Sequence, residues 1–349
     1  MISCGIQCLV CDYPIHLDTY SGCSHACKYC FANEKKSIVN IKPLNNASCL
    51  RAFIQGNRTT ETAFCDWNIP IHWGANSDPF QACELEHKRT LECLQVFAET
   101  KYPFIVSTKN PVLATTEPYL SLLSQCECVF QISAACSRYD KIETGAPTFK
   151  ERLQAAEILS KHVKRVIIRV QPYFADCYKD IVAEIPNYAA AGAYGIIVEG
   201  YATKKKQKGL IKDGKYCFSL DVLAPQYKHI RDVCHENGLR FFCGEDRLRF
   251  LGDSLTCCGT EGLEAFKPNT FNVQHLAHDT ADIQPCKAMQ EIGTTRPFRS
   301  RRQSQAWEKH IAARSFEDMM HELGDDYVYT YQYYRDVYGD ESNDTSDFV

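Results

Sequence analysis

The alternation of β-rich and helix-patterned stretches constrains this chain more than any other feature. Six runs rich in β-branched or aromatic residues end at polar or Gly/Pro breaks: 15–20 (IHLDTY), 69–74 (IPIHWG), 103–109 (PFIVSTK), 128–134 (CVFQISA), 165–172 (RVIIRVQP) and 195–200 (GIIVEG). Between them, apolar residues recur every three or four positions over 83–100, 116–125, 148–162, 177–191 and 222–236, the period of helices that bury one face. Thr116-Glu117-Pro118 and Pro147-Thr148 supply helix start signals. Strands separated by helices run parallel with right-handed crossovers, which predicts an α/β fold, a partial (β/α)6 TIM-like barrel over 15–240. A Cys-rich segment, 1–14, precedes it. A less regular extension, 241–349, follows, entered through a seventh strand-like run at 238–246 (GLRFFCGED). The acidic, tyrosine-rich end reads as disordered over its last ten residues.

In such a barrel, reactive groups gather at the carboxyl ends of the strands. The polar residues sit there: Cys23 follows the first strand, Asn76, Ser77 and Asp78 the second, and Lys109 the third. Ser133 closes the fourth and Glu199 the sixth, while Arg169 and Gln171 share one side of the fifth, so that both point inward. Arg169 is also placed to pair with Glu199 inside the barrel.

Of 349 residues, 45% are hydrophobic, enough for a sizeable core. No apolar run reaches the ~20 residues of a membrane span, and the start MISCGIQCLVC lacks a basic signal region, so a soluble, cytoplasmic protein is expected. A net charge of −4 does not advertise a nucleic-acid binder, although the basic runs Arg296–Arg302 and Lys204–Lys208 are dense; both are expected to be solvated loops unless the first contacts phosphate.

Twenty cysteines are many for a reducing compartment unless some ligate metal. Cys93, Cys126, Cys128, Cys136 and Cys234 lie among apolar residues and are expected to be small core hydrophobes. Two triplets stand apart: Cys4, Cys8, Cys11 and Cys23, Cys27, Cys30 share the spacing C-x3-C-x2-C. Three thiolates make an incomplete set for a [4Fe-4S] cluster, useful where one iron must bind something else; zinc usually takes a fourth ligand. The second triplet follows a full strand, whereas the first has only three residues ahead of it and is not expected to be presented by a strand. The working cluster is therefore assigned to Cys23, Cys27 and Cys30.

The stretch GCSHACKYCFA resembles the signature of the radical S-adenosylmethionine (SAM) superfamily, with Tyr29 before the last cysteine. In that superfamily the open iron chelates SAM, one electron breaks its C5′–S bond, and the 5′-deoxyadenosyl radical abstracts hydrogen from substrate. HWGANSDPFQACE, STKNP and IETGAPTFKERLQAAEIL resemble the spore photoproduct lyase-like, DNA repair photolyase-related branch. By that resemblance Asn76 and Ser77 meet the SAM amino group, Lys109 its carboxylate, Ser133 or Arg169 its ribose or carboxylate, and the Tyr29 backbone its adenine. True members of that branch place a hydrogen-donating cysteine where this chain has Ala75, so thymine-dimer repair itself is not expected; Cys83 or Cys257 are the alternative donors.

The resemblance also implies a reductant such as flavodoxin or ferredoxin, and DNA or RNA as substrate. A peptide or small metabolite is the alternative substrate, and a zinc-binding structural or redox module the alternative class. Cys243, Cys257 and Cys258, or Cys4, Cys8 and Cys11, are candidates for an auxiliary site holding zinc or a second iron–sulfur cluster.

Overall fold

The computed structural model describes residues 2–4, 11–34, 41–57, 69–270, 272, 275, 329 and 331–339. All six β-rich runs are strands. In chain order the elements are β1 (Ile2–Cys4), β2 (Ile15–Leu17), α1 (Asn46–Ile54), β3 (Ile71–Trp73), α2 (Glu84–His87), α3 (Arg89–Thr100) and β4 (Phe104–Thr108). There follow α4 (Pro111–Ala114), α5 (Tyr119–Leu123), β5 (Cys128–Ser133), α6 (Phe149–Leu159), β6 (Arg165–Tyr173), α7 (Tyr178–Ala190) and β7 (Gly195–Gly200). The last are the small strands β8 (Ala202–Thr203), β9 (Ile211–Asp213) and β10 (Lys215–Cys217), then α8 (Leu220–Glu236) and β11 (Arg240–Cys243).

One sheet takes the order β1-β2-β3-β4-β5-β6-β7-β11, so that parallel neighbours in space are successive βα units in sequence. Only β1 runs antiparallel. This is an open, partial α/β barrel. The run at 238–246 becomes its seventh parallel strand, pairing Phe242 with Ile197. Cys4 ends β1, so a strand does hold part of the first triplet, against the expectation from its position; its neighbour is β2.

Residues facing the helices are apolar. Trp73, Phe97 and Phe104 meet with ring centroids 4.1–5.8 Å apart and are fully buried, each worth about 1.5–3 kcal/mol of burial. The other face carries the polar residues His72, Ser107, Gln131, Arg169 and Glu199, which turn inward among apolar neighbours such as Ile105 and Ile167.

The helix expected over 83–100 divides at Lys88, whose φ of 52° is left-handed. The cause is Glu84. Its buried carboxylate accepts hydrogen bonds from Thr90 N and Leu91 N, capping α3, and another from Tyr119 Oη at 2.8 Å. Thr148 starts α6 as expected, with a reciprocal capping box to Glu151. The lysine run 204–208 is an exposed loop beside the small sheet β8-β10-β9.

After β11 the chain crosses the interior. Arg165 Nη1 donates to Gly259 O (2.9 Å) and Glu261 O (2.8 Å), and Gln131 Nε2 donates to Cys258 O at 3.2 Å. Thr260 then meets Tyr13 Oη at 2.6 Å, and Asn269 N donates to Asp12 O at 2.8 Å. This strap joins the two sides of the open sheet. Among the described residues no helix is long and apolar enough to cross a membrane. Cys8, the Arg296–Arg302 run and the last ten residues lie outside the described residues.

Candidate active site

The loop carrying Cys23, Cys27 and Cys30 leaves β2 at the carboxyl end of the sheet and is clasped from two sides. Gln81, beyond β3, accepts from Ser24 N and donates to Gly22 O, both at 2.9 Å. From beyond β5, Ile142 O accepts from Lys28 N (2.9 Å) and Gly145 N donates to His25 O (3.0 Å). Gly145 is required there: a Cβ would lie 2.5 Å from Ser24 O and 2.7 Å from His25 Cα. Ala26, at φ 50°, turns the loop so that Cys27 is buried while Cys23 and Cys30 are half-buried.

Carboxylates tie this loop to the strand ends. Asp78 accepts from Thr108 Oγ1 and Lys109 N, both at 2.7 Å, and from Phe80 N at 2.9 Å. His25 Nε2 stands 3.0 Å from Asp78 Oδ2, within ion-pair distance though off the line of a hydrogen bond, while its Nδ1 bonds Gly145 O. Burial alone would raise the Asp78 carboxyl; the adjacent His25 ring and these donors outweigh it and hold it at about 2. Glu143 is only 2% exposed and receives Tyr29 Oη and Arg152 Nη1, with Lys109 Nζ at 4.0 Å. Lys109 Nζ also reaches Ser133 Oγ at 3.4 Å and lies 5.7 Å from the centre of the Tyr29 ring.

Tyr29, Lys109 and Ser133, each singled out in the sequence, thus surround one buried carboxylate that was not. Asn76 and Ser77 are present at the same rim, but their donors are spent on Asp18: Asn76 N and Nδ2, Ser77 N and Oγ all bond its carboxylate at 2.9–3.0 Å. Asp18, His25, Glu143 and Arg152 escaped sequence reading because the first two lie next to the named cysteines without a motif of their own. The other two meet only through the loop after β5. One signal was available: HWGANSDPF and IETGAPTF, already set apart, contain Asp78 and Glu143 respectively.

Arg169 lies deeper and bonds Ser107 Oγ (2.9 Å) and Gln131 Oε1 (2.6 Å). It does not pair with Glu199, as its position had suggested; Glu199 accepts instead from Gln171 Nε2, the residue two along on the same side. Burial, against the opposing pull of Arg169, pushes the Glu199 carboxyl up to about 8. Burial and the charge of Arg169 keep His72 neutral.

Two thiols of the mouth loop, Cys23 and Cys27, are held protonated. Burial, then the Asp78 carboxylate, push Cys23 up to about 12; burial, opposed by Lys109, pushes Cys27 up to about 11. Cys83 stands at the start of α2, and burial followed by Glu84 raises it to about 11. Cys243 and Cys257 part company: Cys243 is fully buried on the helix side of β11 and donates to Glu245 O, whereas Cys257 belongs to the strap inside. Cys11, half-buried, is close enough for its charge to act on Cys257 and Cys258. Among the described residues no group of three or more His, Cys, Asp or Glu converges as one metal ion requires.

No protein-family model matches the chain. Proteins named as uncharacterized from Mycobacterium tuberculosis and Mycobacterium bovis are each 25% identical over 206 residues, 54% of this chain. The chain spans 59% of the length of these curated relatives. Among solved structures, SuiB of Streptococcus suis bound to S-adenosylmethionine superposes with a TM-score of 0.48 at 13% identity, over 67% of this chain and 51% of SuiB. SuiB bound to the precursor peptide SuiA gives 0.49 at 15%, over 68% and 50%. Methylornithine synthase gives 0.45 at 11%, over 68% of this chain and 67% of that one. Scores below one half at such identities do not establish kinship.

Proposed function

We propose that the protein is a radical SAM enzyme whose [4Fe-4S] cluster is held by Cys23, Cys27 and Cys30. The observation that carries this reading is the clasped three-cysteine loop at the carboxyl end of the sheet, with Lys109, Ser133, Glu143 and Asp78 gathered at its edge. The donor set fits a cluster. A cubane takes each cysteine on a different iron, so its thiolates need not converge on one point as zinc's must. When bound, cluster and SAM supply reductive cleavage of the sulfonium.

The chain's own residues bind and orient. The raised Cys23 and Cys27 thiols give up their protons to solvent as a metal takes the sulfurs. Lys109 offers a cation for a carboxylate, held upright between Ser133 and Glu143. Because Asn76 and Ser77 spend their donors on Asp18, their oxygens remain as acceptors, the polarity an ammonium group needs. Deeper in the mouth, Gln171 and a protonated Glu199 offer neutral hydrogen bonds. That lining suits an amide-like edge, which nucleobases and peptide amides share, and supports a nucleic-acid or peptide substrate over a small ion. A low-potential flavodoxin or ferredoxin would supply electrons.

Anaerobic reconstitution tests the reading. The full chain is expected to bind about four irons with as many sulfides and, under dithionite, to convert SAM to 5′-deoxyadenosine. The Cys23→Ala/Cys27→Ala/Cys30→Ala variant is expected to lose both properties. A colourless zinc protein that leaves SAM intact would overturn the proposal.

A further inference from the structure

The strap brings two adjacent thiols, Cys257 and Cys258, into the barrel. Their setting is interior: Cys258 O is held by Gln131, and Gly259 follows so closely that a Cβ would meet Ile167 Cδ1 at 2.5 Å. Both Gln131 and Ile167 belong to the inward face. Cys257 is half-buried and near enough to Glu199 to act on its charge, whereas Cys258 is 5% exposed. Cys257 lies near enough to Cys258 and to Arg249, a residue only 5% exposed, for both to act on its charge. Arg249 has its other charged partner in Asp246 at 2.7 Å.

We infer that Cys257 and Cys258 act as a catalytic thiol pair that returns a hydrogen atom to a carbon radical formed inside the barrel. The inference rests on the radical reading above. An S–H bond is weaker than an aliphatic C–H bond or an alcohol O–H bond. A thiol facing the interior is therefore the side chain from which a carbon radical takes hydrogen.

The atoms balance. The radical gains the thiol hydrogen and becomes a closed-shell C–H product, leaving a thiyl radical. The adjacent thiolate joins it as a disulfide radical anion. One electron from a low-potential flavin or iron–sulfur reductant, with one proton, restores one thiol and one thiolate. Two sulfurs sharing one proton, with Arg249 beside Cys257, form a unit that can hold the odd electron. The neighbouring Cys257, then burial, raises Cys258, and the neighbouring Cys258, with Arg249, lowers Cys257. Cys83, the other candidate donor, lacks both the interior position and a thiol partner among its described contacts.

The test follows label from solvent through the thiols. Reconstituted enzyme is given SAM and dithionite in D2O, with no added thiol and no other substrate. The quantity read is deuterium per 5′-deoxyadenosine formed. Wild type is expected to carry one deuterium in most product molecules, and the Cys257→Ser/Cys258→Ser variant at least several-fold less. Serine keeps the hydrogen bonds and exchanges with solvent, but its O–H is too strong to give up a hydrogen atom.

Deuterium surviving in the variant, or missing from wild type, overturns this inference alone. Absence of 5′-deoxyadenosine overturns the radical reading, and the inference with it. A second readout needs no cluster: after diamide treatment of the cluster-free full chain, the peptide 246–261 released by Glu-C cleavage contains these two cysteines and no others. It is expected to be lighter by two hydrogens and closed to alkylation. A peptide that still takes two alkyl groups shows thiols that do not act together, and overturns the pair.

Discussion

Glu143 shows how much one side chain at this mouth carries. It is 2% exposed, holds the 1%-exposed Arg152, and orients Tyr29 and Lys109. A buried ion pair adds little net stability, but stripping one partner leaves a bare charge. Replacing Glu143 by Ala is therefore expected to cost about 3–5 kcal/mol, measured by urea unfolding, and to weaken SAM binding as well. Asp78 behaves differently because its carboxyl is held at about 2. Its contribution, roughly 2 kcal/mol at about 1.4 kcal/mol per pH unit, is complete above the ordinary carboxylate range and vanishes as pH falls through 2. In Asp78→Asn the urea midpoint is expected to lose that dependence between pH 4 and 2. Glu199 has the opposite sign. A carboxyl raised to about 8 favours the fold at low pH and progressively less as pH climbs from its ordinary range toward 8. Glu199→Gln is expected to flatten that decline.

At the level of elements, the contact between the cysteine loop and the segment after β5 turns on Gly145, whose hydrogen takes up space that a methyl group cannot share with Ser24 O. Gly145→Ala is expected to cost about 1–3 kcal/mol and to lower iron content after reconstitution while far-UV circular dichroism stays unchanged. The strands themselves were legible, since VIIRV or FIVST has no other comfortable conformation. The turn of helix direction at Lys88 was not, because it depends on a carboxylate at Glu84 finding amides six and seven residues on. The same limit applied to the site. Lys109 and Ser133 were readable as strand-end residues, but their shared partner Glu143 comes from a loop, and loops carry no period. The strap was invisible for a related reason: residues 254–262 have no repeating pattern, and their bonds run to Gln131, Arg165 and Tyr13, far away in sequence.

For the whole molecule, the strap couples the segment before β2 to the segment after β11. Tyr13 and Thr260 are 247 positions apart and bonded at 2.6 Å. Tyr13→Phe and Thr260→Val are each expected to cost about 1 kcal/mol. A double-mutant cycle by denaturant titration should show the two losses to be non-additive, because both remove the bond they share, while Tyr13→Phe alone also removes the bond to Phe266 O. The lid of this vessel is thus made last and anchored at its first-made wall. Shortening the protein just after Asp253 would remove no strand among the described residues, yet it would strip Arg165, Gln131 and Tyr13 of the carbonyls and hydroxyl they were built to meet and flood the centre with water. What looks like a dispensable tail following the final strand is the reason the middle stays dry.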